Sequence, residues 1–242
     1  MVQVSVVLPA HNEALRLRSC VEKVKQELNK LKYNYEIIIA EDGSTDGTDK
    51  IAEYLAKERG VKVLPRSSEK LGRGLALKRA CTIARGDIIA FMDVDLATDI
   101  RYLQELLIYA NKYDVVTGSR YIKGAKFKRP IMRTAVSKAY NLFIQLSLGC
   151  DIKDAQCGFK AFSKNFAEKV ISKVQEKSWA WDTVVLVEAV KQGYSVKEFP
   201  VAWLEQRSQF TSLKRIIKDV QIHGTALLKL FLKWRLKLDI KV

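Results

Sequence analysis

The first 120 residues repeat one pattern, in which short and nearly continuous apolar runs alternate with segments of helical spacing. Val4 to Leu8 is a β-branched run, and from Glu13 to Lys30 the apolar residues Leu17, Val21, Val24 and Leu28 recur at helical intervals, ending on Leu31. Tyr35 to Ala40 is again strand-like, and the turn-rich Asp42-Gly43-Ser44-Thr45-Asp46-Gly47 leads into a helix through Lys57. Val61 to Leu64, a helix over 72–84, the run Asp87 to Met92, a helix over 100–111 and a strand over 114–117 complete this half. Strands that are apolar on both faces and alternate with amphipathic helices belong in a parallel sheet covered on both sides.

The second half is less regular. Ser119 to Arg129 reads as a basic loop, Pro130 to Leu148 as a helix, Gln156 to Phe162 as a short strand and Trp181 to Gln192 as a helix. A strand over Val196 to Val201 and a last helix over 212–237 follow, with no internal repeat and no Gly/Ser-rich linker. The expected fold is therefore α/β, with a mainly parallel central sheet and a helical C-terminal extension. Residues 1–211 form one domain, divided into halves 1–120 and 121–211, and 212–242 form the extension.

Charge narrows the partners. The chain carries 42 Lys+Arg against 27 Asp+Glu, a formal net charge of +15, which favours an anionic partner. No charge-free stretch exceeds 12 residues, short of the roughly 18–20 needed to span a bilayer. No basic region followed by an apolar core and cleavage site opens the sequence, so no secretory signal is expected. Four cysteines without a CxxC pair and only two histidines, His11 and His223, argue against a zinc cage or disulfide framework. Reduced intracellular thiols are the expectation.

In open α/β sheets ligands sit beyond the carboxyl ends of the strands. Pro9-Ala10-His11-Asn12-Glu13 follows the first strand, Glu41-Asp42-Gly43-Ser44 the second, and Asp93-Val94-Asp95 the run ending at Met92. In an extended chain residues i and i+2 point to one side, so Asp93 and Asp95 present two carboxylates to one point. Such a pair is either a solvated or helix-capping strand end, or it is neutralised by a hard divalent cation bridging a diphosphate. Asp42 is either a turn and cap residue or an acceptor for a nucleobase N–H. Thr98 or Asp99 is read as the cap of the helix that follows. Gly72-Arg73-Gly74 before a helix could bring backbone N–H groups near a phosphate, but with Leu77 it is not a dinucleotide fingerprint.

These signals, in this order, resemble glycosyltransferase family 2 with its GT-A fold. The resemblance rests on Val-Val-Leu-Pro-Ala-His-Asn-Glu at the start, Glu-Asp-Gly-Ser-Thr-Asp-Gly-Thr, Leu71 to Leu77 and Met-Asp-Val-Asp. Gly118-Ser119-Arg120 and Asp154-Ala155-Gln156-Cys157-Gly158-Phe159-Lys160 resemble the polyprenyl-phosphate branch, and the latter string, with Trp179-Ala180-Trp181-Asp182, most resembles dolichyl-phosphate β-glucosyltransferases. The resemblance implies that Pro9, His11, Glu13, Asp42, Asp93 and Arg207 hold the donor nucleotide and its phosphates. It implies that Asp93 and Asp95 hold a divalent cation, Mg²⁺ or Mn²⁺, and that Arg120, Arg129 and Arg133 bind the acceptor phosphate. Asp93, Asp95, Arg120 and Arg133 are then the catalytic set. His11 stands where the family usually has a tyrosine, and Ala97 where mannose synthases commonly place a glutamine metal ligand.

The implied activity is inverting transfer of a hexose, glucose favoured, from a nucleoside-diphosphate sugar such as UDP-glucose to dolichyl or polyprenyl phosphate. The implied setting is cytoplasmic, peripheral at the inner face of the membrane. An acceptor phosphate is already an anion, so no tuned general base is required. From Tyr121 to Lys138 there are six Lys/Arg and no acid, as such an acceptor would want. The C-terminal helix, with Leu213, Ile216, Ile217, Val220, Leu227, Leu230, Phe231 and Trp234 among lysines, either lies on an anionic interface or packs on protein. The helix over Pro130 to Leu148 can share that interface. Alternatives are a mannose synthase using GDP-mannose, or transfer to a saccharide hydroxyl with Asp154 or Asp182 as base. Nucleic-acid binding is disfavoured by the acidic strand ends and the absence of a nucleic-acid motif.

Overall fold

The computed structural model describes residues 1–65, 70–206 and 213–241, with residues 213–220 described as backbone only. Nine strands and eight α-helices make up the described chain, alternating through its first half. They run β1 (Val4–Ala10), α1 (Leu17–Lys30), β2 (Tyr35–Glu41), α2 (Thr48–Leu55), β3 (Val61–Val63), α3 (Arg73–Ile83), β4 (Ile88–Met92), α4 (Leu103–Ala110) and β5 (Val115–Ser119). The second half holds β6 (Lys126–Lys128), α5 (Ile131–Leu148), β7 (Phe159–Ser163), α6 (Lys164–Lys169), α7 (Trp181–Lys191), β8 (Val196–Pro200), β9 (Ala202–Leu204) and α8 (Leu213–Arg235).

Seven strands form one sheet in the order β3-β2-β1-β4-β7-β5-β8. All its pairings are parallel except those of β7, which runs antiparallel to both β4 and β5. The expectation of a mainly parallel sheet is met, and β7 is the exception that matters. β1, β2 and β4 are largely apolar because helices cover both faces: Val6, Leu8 and Ile37 face one cluster, Val7, Ile38 and Phe91 the other, while buried Ser5 donates to Glu36. Each such apolar side chain buried contributes roughly 1.5–3 kcal/mol.

Local signals set the boundaries. Asp99 accepts from the Arg101 N–H and caps the short helical turn before α4, as the sequence suggests, whereas Thr98 bridges to Trp203. Ser163 caps α6 by accepting from the Phe166 N–H. The region read as a basic loop contains β6, which pairs in parallel with β9 in a two-stranded ribbon. β6 is short and exposed at every position, so it lacks the apolar alternation by which strands are read.

α8 packs its described apolar stripe inward. Ala226, Leu227 and Leu230 are buried in the core cluster that α7 completes, with Phe231 and Trp234 packed against it. Buried Glu188 on α7 fixes this docking by accepting from Lys233 Nζ at 2.8 Å and Trp234 Nε1 at 3.0 Å. Between an interfacial helix and one packed on protein, the structure places this part of α8 on protein.

Candidate active site

The sheet order reverses direction between β1 and β4, which is where a crevice opens beyond the carboxyl strand ends. Pro9, His11 and Glu13 leave β1, Asp42 leaves β2, and Asp93 leaves β4. All five line a single cavity of about 150 Å³, together with Lys70, Arg73 and Trp179. Five of the residues assigned to the donor are thus brought together. Arg207, the sixth, lies outside the described residues.

Each is held by its neighbours. Glu13 is buried, and its N–H donates to Thr48 Oγ1 at 2.8 Å. His11 Nδ1 meets the Asp42 carbonyl at 2.9 Å, and its Nε2 lies 2.7 Å from Lys70 Nζ. The Asp42 carboxylate accepts from the Leu71 N–H at 2.6 Å and the Gly72 N–H at 2.8 Å. The Gly72 and Gly74 amides are therefore spent inside the protein, because the Gly74 N–H also donates to the Lys177 carbonyl. The expectation that they face a phosphate is corrected by these bonds. Gly72 has φ +88°, and a Cβ there or at Gly74 would strike the carbonyl of Lys177 or Glu176.

Sequence reading gave no role to Arg73. Its Nη2 donates to Asp93 Oδ1 at 2.6 Å and its Nη1 to Asp182 Oδ2 at 3.0 Å, while its guanidinium lies 4.7 Å from the centroid of Trp179. Burial alone would lower the Arg73 pKa, but Asp182 and Asp93 outweigh it and hold the group above its ordinary value. Lys160, fully buried on β7, donates to the other Asp182 oxygen at 2.9 Å and to the Cys157 carbonyl. A lysine in a strand reads as solvent-facing, so only the tertiary placement exposes this role. The sole available signal was its position after Gly158 and Phe159 in the quoted string.

The antiparallel course of β7 explains the crowding at Asp93. β7 starts where β4 ends, pairing Phe159 with Met92, so the Asp154–Gly158 turn lies beside the acidic strand end. A side chain at Gly158 would collide with the Asp93 carboxylate, so glycine is what lets the turn approach. Asp95 accepts from the Ala97 N–H at 3.1 Å. Among the described residues no group of three or more His, Cys, Asp or Glu gathers as a metal cage.

The acceptor-side arginines occupy three different environments. Arg120 is buried and forks onto Asp154, with Nε to Oδ2 and Nη2 to Oδ1 both at 2.7 Å. Burial opposes its charge, but Asp154 raises its pKa well above the ordinary arginine value. Arg133 pairs with Glu205 at 2.6 Å. Arg129 donates to Ser137 Oγ at 2.9 Å and Tyr121 Oη at 3.3 Å, and its buried Nε has no partner among the described residues. Burial, and then the charge of Arg120, push the Arg129 pKa below its usual value. Arg120 and Arg129 both lie over the Trp203 ring, at 5.3 and 5.8 Å. A wider groove of about 680 Å³ runs beside this ribbon between Lys23, Arg101, Lys126 and Trp203 and shares no residue with the donor-side cavity.

Comparison with known proteins agrees with this geometry. The profile of Glycosyl transferase family 2 matches residues 5–171. The chain is 40% identical over 239 residues to the glycosyltransferase AglD of Haloferax volcanii, covering 97% of this chain and 38% of AglD. It is 31% identical over 238 residues to the dolichyl-phosphate beta-glucosyltransferase of Dictyostelium discoideum, covering 90% of this chain and 73% of that protein. Among solved structures, the glucosyl-3-phosphoglycerate synthase of Mycobacterium tuberculosis, in complex with Mn²⁺, UDP and glucosyl-3-phosphoglycerate, superposes with a TM-score of 0.70. That match has 21% identity and covers 94% of this chain and 79% of that one. The mannosyl-3-phosphoglycerate synthase of Rubrobacter xylanophilus gives a TM-score of 0.74 at 18% identity, covering 99% and 76%. The fold is GT-A-like, and the ordered strand-end motifs lie within the matched span. On that ground the chain belongs to glycosyl transferase family 2.

Proposed function

We propose that this chain transfers a hexose, with glucose favoured, from a nucleoside-diphosphate sugar to a polyprenyl or dolichyl phosphate at a membrane surface. The observation that carries the reading is Arg129. It is a largely buried cation whose Nε has no partner among the described residues, whose described partners are hydroxyls rather than carboxylates, and which stands beside Arg120. An incoming phosphate would neutralise it and accept from that donor, through charge-assisted bonds. The dolichyl-phosphate beta-glucosyltransferase relatives support the same acceptor class.

The carboxylates argue in the same direction. A hydroxyl acceptor needs a base, yet Asp154 is forked onto Arg120, and Asp182 is held between Arg73 and Lys160. Ion-paired carboxylates are poor bases, whereas an anionic nucleophile needs none. Arg129 and Arg133 would hold and orient the acceptor phosphate. Pro9, His11, Glu13 and Asp42 would grip the nucleoside part of the donor, and Arg73, Lys70 and Arg207 would serve its phosphates.

The residues present fit a divalent ion. Asp93 and Asp95 offer hard oxygen donors, and the side-chain-free Gly158 keeps the turn close to Asp93. A Mg²⁺- or Mn²⁺-type ion is commonly held by one or two carboxylates plus substrate phosphates, which two aspartates without a larger cage match. When bound, the ion supplies electrostatic stabilisation to the departing diphosphate. Arg73 is placed to neutralise Asp93 before the donor arrives, which keeps the strand end from repelling an anionic ligand.

The test is transfer from a panel of UDP- and GDP-sugars to dolichyl and undecaprenyl phosphate, with Mg²⁺ or Mn²⁺. Organic-phase product from UDP-glucose is expected. Product confined to the aqueous phase on a saccharide acceptor would defeat the reading, and preference for GDP-mannose would replace the donor.

A further inference from the structure

The outward face of α5 is apolar without interruption. At about 100° per residue, the buried positions Ser137, Asn141, Ile144 and Leu148 mark one side of the helix. The opposite arc carries Ile131, Met132, Val136, Leu142, Phe143 and Leu146, between 45% and 88% exposed, with small Ala135 and Ala139 between them. Scattered exposed apolar residues are ordinary, but a contiguous stripe along a whole helix marks an interaction surface.

We infer that this face of α5, rather than α8, docks the protein onto an anionic lipid surface. The inference rests on the proposed lipid-phosphate acceptor and deepens it. α8 spends its described apolar stripe on the core, while α5 keeps its own outside. Charge selects the occupant. From Val115 to Cys150 there are seven Lys/Arg and no Asp or Glu, and Lys123, Lys126, Lys128 and Lys138 are exposed around the N-terminal end of the stripe. A second copy docking on the same face would set these cations against one another. Anionic headgroups complement them, with the apolar arc entering the acyl boundary. Docking along α5 also brings Arg129 and Arg133, at its N-terminal end, to the depth at which a lipid phosphate lies.

No described helix is long and apolar enough to cross a membrane, so such docking would be interfacial. The test uses the full chain and the triple variant Leu142→Gln, Phe143→Gln, Leu146→Gln, with Leu228→Gln on α8 as control. All four positions are exposed, so folding is expected to survive and is checked by thermal melting. Flotation with phosphatidylcholine vesicles containing phosphatidylglycerol is expected to recover the wild type and the α8 control. The triple variant should lose binding by about tenfold or more, since each buried side chain contributes substantially to partition. Equal flotation of wild type and triple variant would overturn the inference, as would a wild type that binds no vesicle. So would sedimentation showing a wild-type dimer that the triple variant dissolves, because the face would then belong to a second copy. Vesicle binding by α5 without any transfer to polyprenyl phosphate would support the docking face while defeating the functional reading.

Discussion

Arg73 and Asp93 form an ion pair of 2.6 Å at the end of β4, and the same guanidinium reaches Asp182 on α7 at 3.0 Å. One side chain thus couples the start of α3, the acidic strand end and the first turn of α7. Removing it by Arg73→Ala leaves Asp182 with Lys160 alone and Asp93 without this partner. Breaking a buried pair costs about 3–5 kcal/mol, and the low end applies because the Asp93 side chain is 33% exposed. Thermal melting should show a fall of several degrees, at about 2–4 °C per kcal/mol for a chain of this size. Arg73→Lys should recover only part, since an ammonium lacks the planar fork that spans two carboxylates. An unchanged melting temperature for Arg73→Ala would contradict this account.

Asp95→Asn should leave the fold intact, because the amide oxygen can still accept from the Ala97 N–H. Transfer should fall by about a hundredfold or more, the scale lost when charge stabilisation of a leaving group is removed. Near-wild-type turnover that still requires added Mg²⁺ or Mn²⁺ would remove Asp95 from the metal assignment.

Arg129→Ala should raise the acceptor KM by about tenfold, the order expected for losing a hydrogen bond between charged partners. The donor KM should stay within about twofold. Arg133→Ala should move the same parameter less, because Arg133 is already paired with Glu205. Steady-state kinetics varying each substrate in turn separates the two, and a donor-only effect would reassign both arginines.

Buried Glu36 accepts from Ser5, Arg85 and Lys62, and these bonds outweigh the burial that would raise its pKa, holding it below the ordinary 4.5. A carboxylate with a depressed folded-state pKa adds stability above its unfolded value and loses it as the pH falls through the folded one. The melting-temperature gap between wild type and Glu36→Gln should therefore be open at about pH 7 and narrow toward about pH 3. A gap independent of pH would assign the effect to packing.

All four cysteines are buried and free. Burial pushes Cys20, Cys81 and Cys157 up to about 12, and raises Cys150 as well. Thiolate is the reactive form, so alkylation at neutral pH should be negligible in the native protein and complete after denaturation. Rapid native labelling of any of the four, followed by mass spectrometry, would show a site more open than its burial implies.

The sequence by itself determined the alternation of buried strands and helices, because hydrophobic periodicity is local and a strand covered on both faces is apolar at most positions. It also placed the acids at the strand ends, and the β1–β4 reversal gathered Pro9, His11, Glu13, Asp42 and Asp93 around one cavity. The antiparallel insertion of β7 was not legible, since strand direction depends on which partner a segment meets and leaves no mark on its own periodicity. That insertion set Gly158 against Asp93 and buried Lys160 beneath Asp182. Arg120 and Arg129 read alike as basic residues of one segment, yet one is matched by Asp154 and the other keeps a donor with no partner among the described residues. The two apolar helices were similarly equivalent in pattern, and packing spent the described part of the α8 stripe, Leu227 and Leu230, inside while leaving that of α5 outside. Residue type fixes what a side chain can do, but its charge partner and its exposure come from residues far away in the chain, and only the folded structure brings those together.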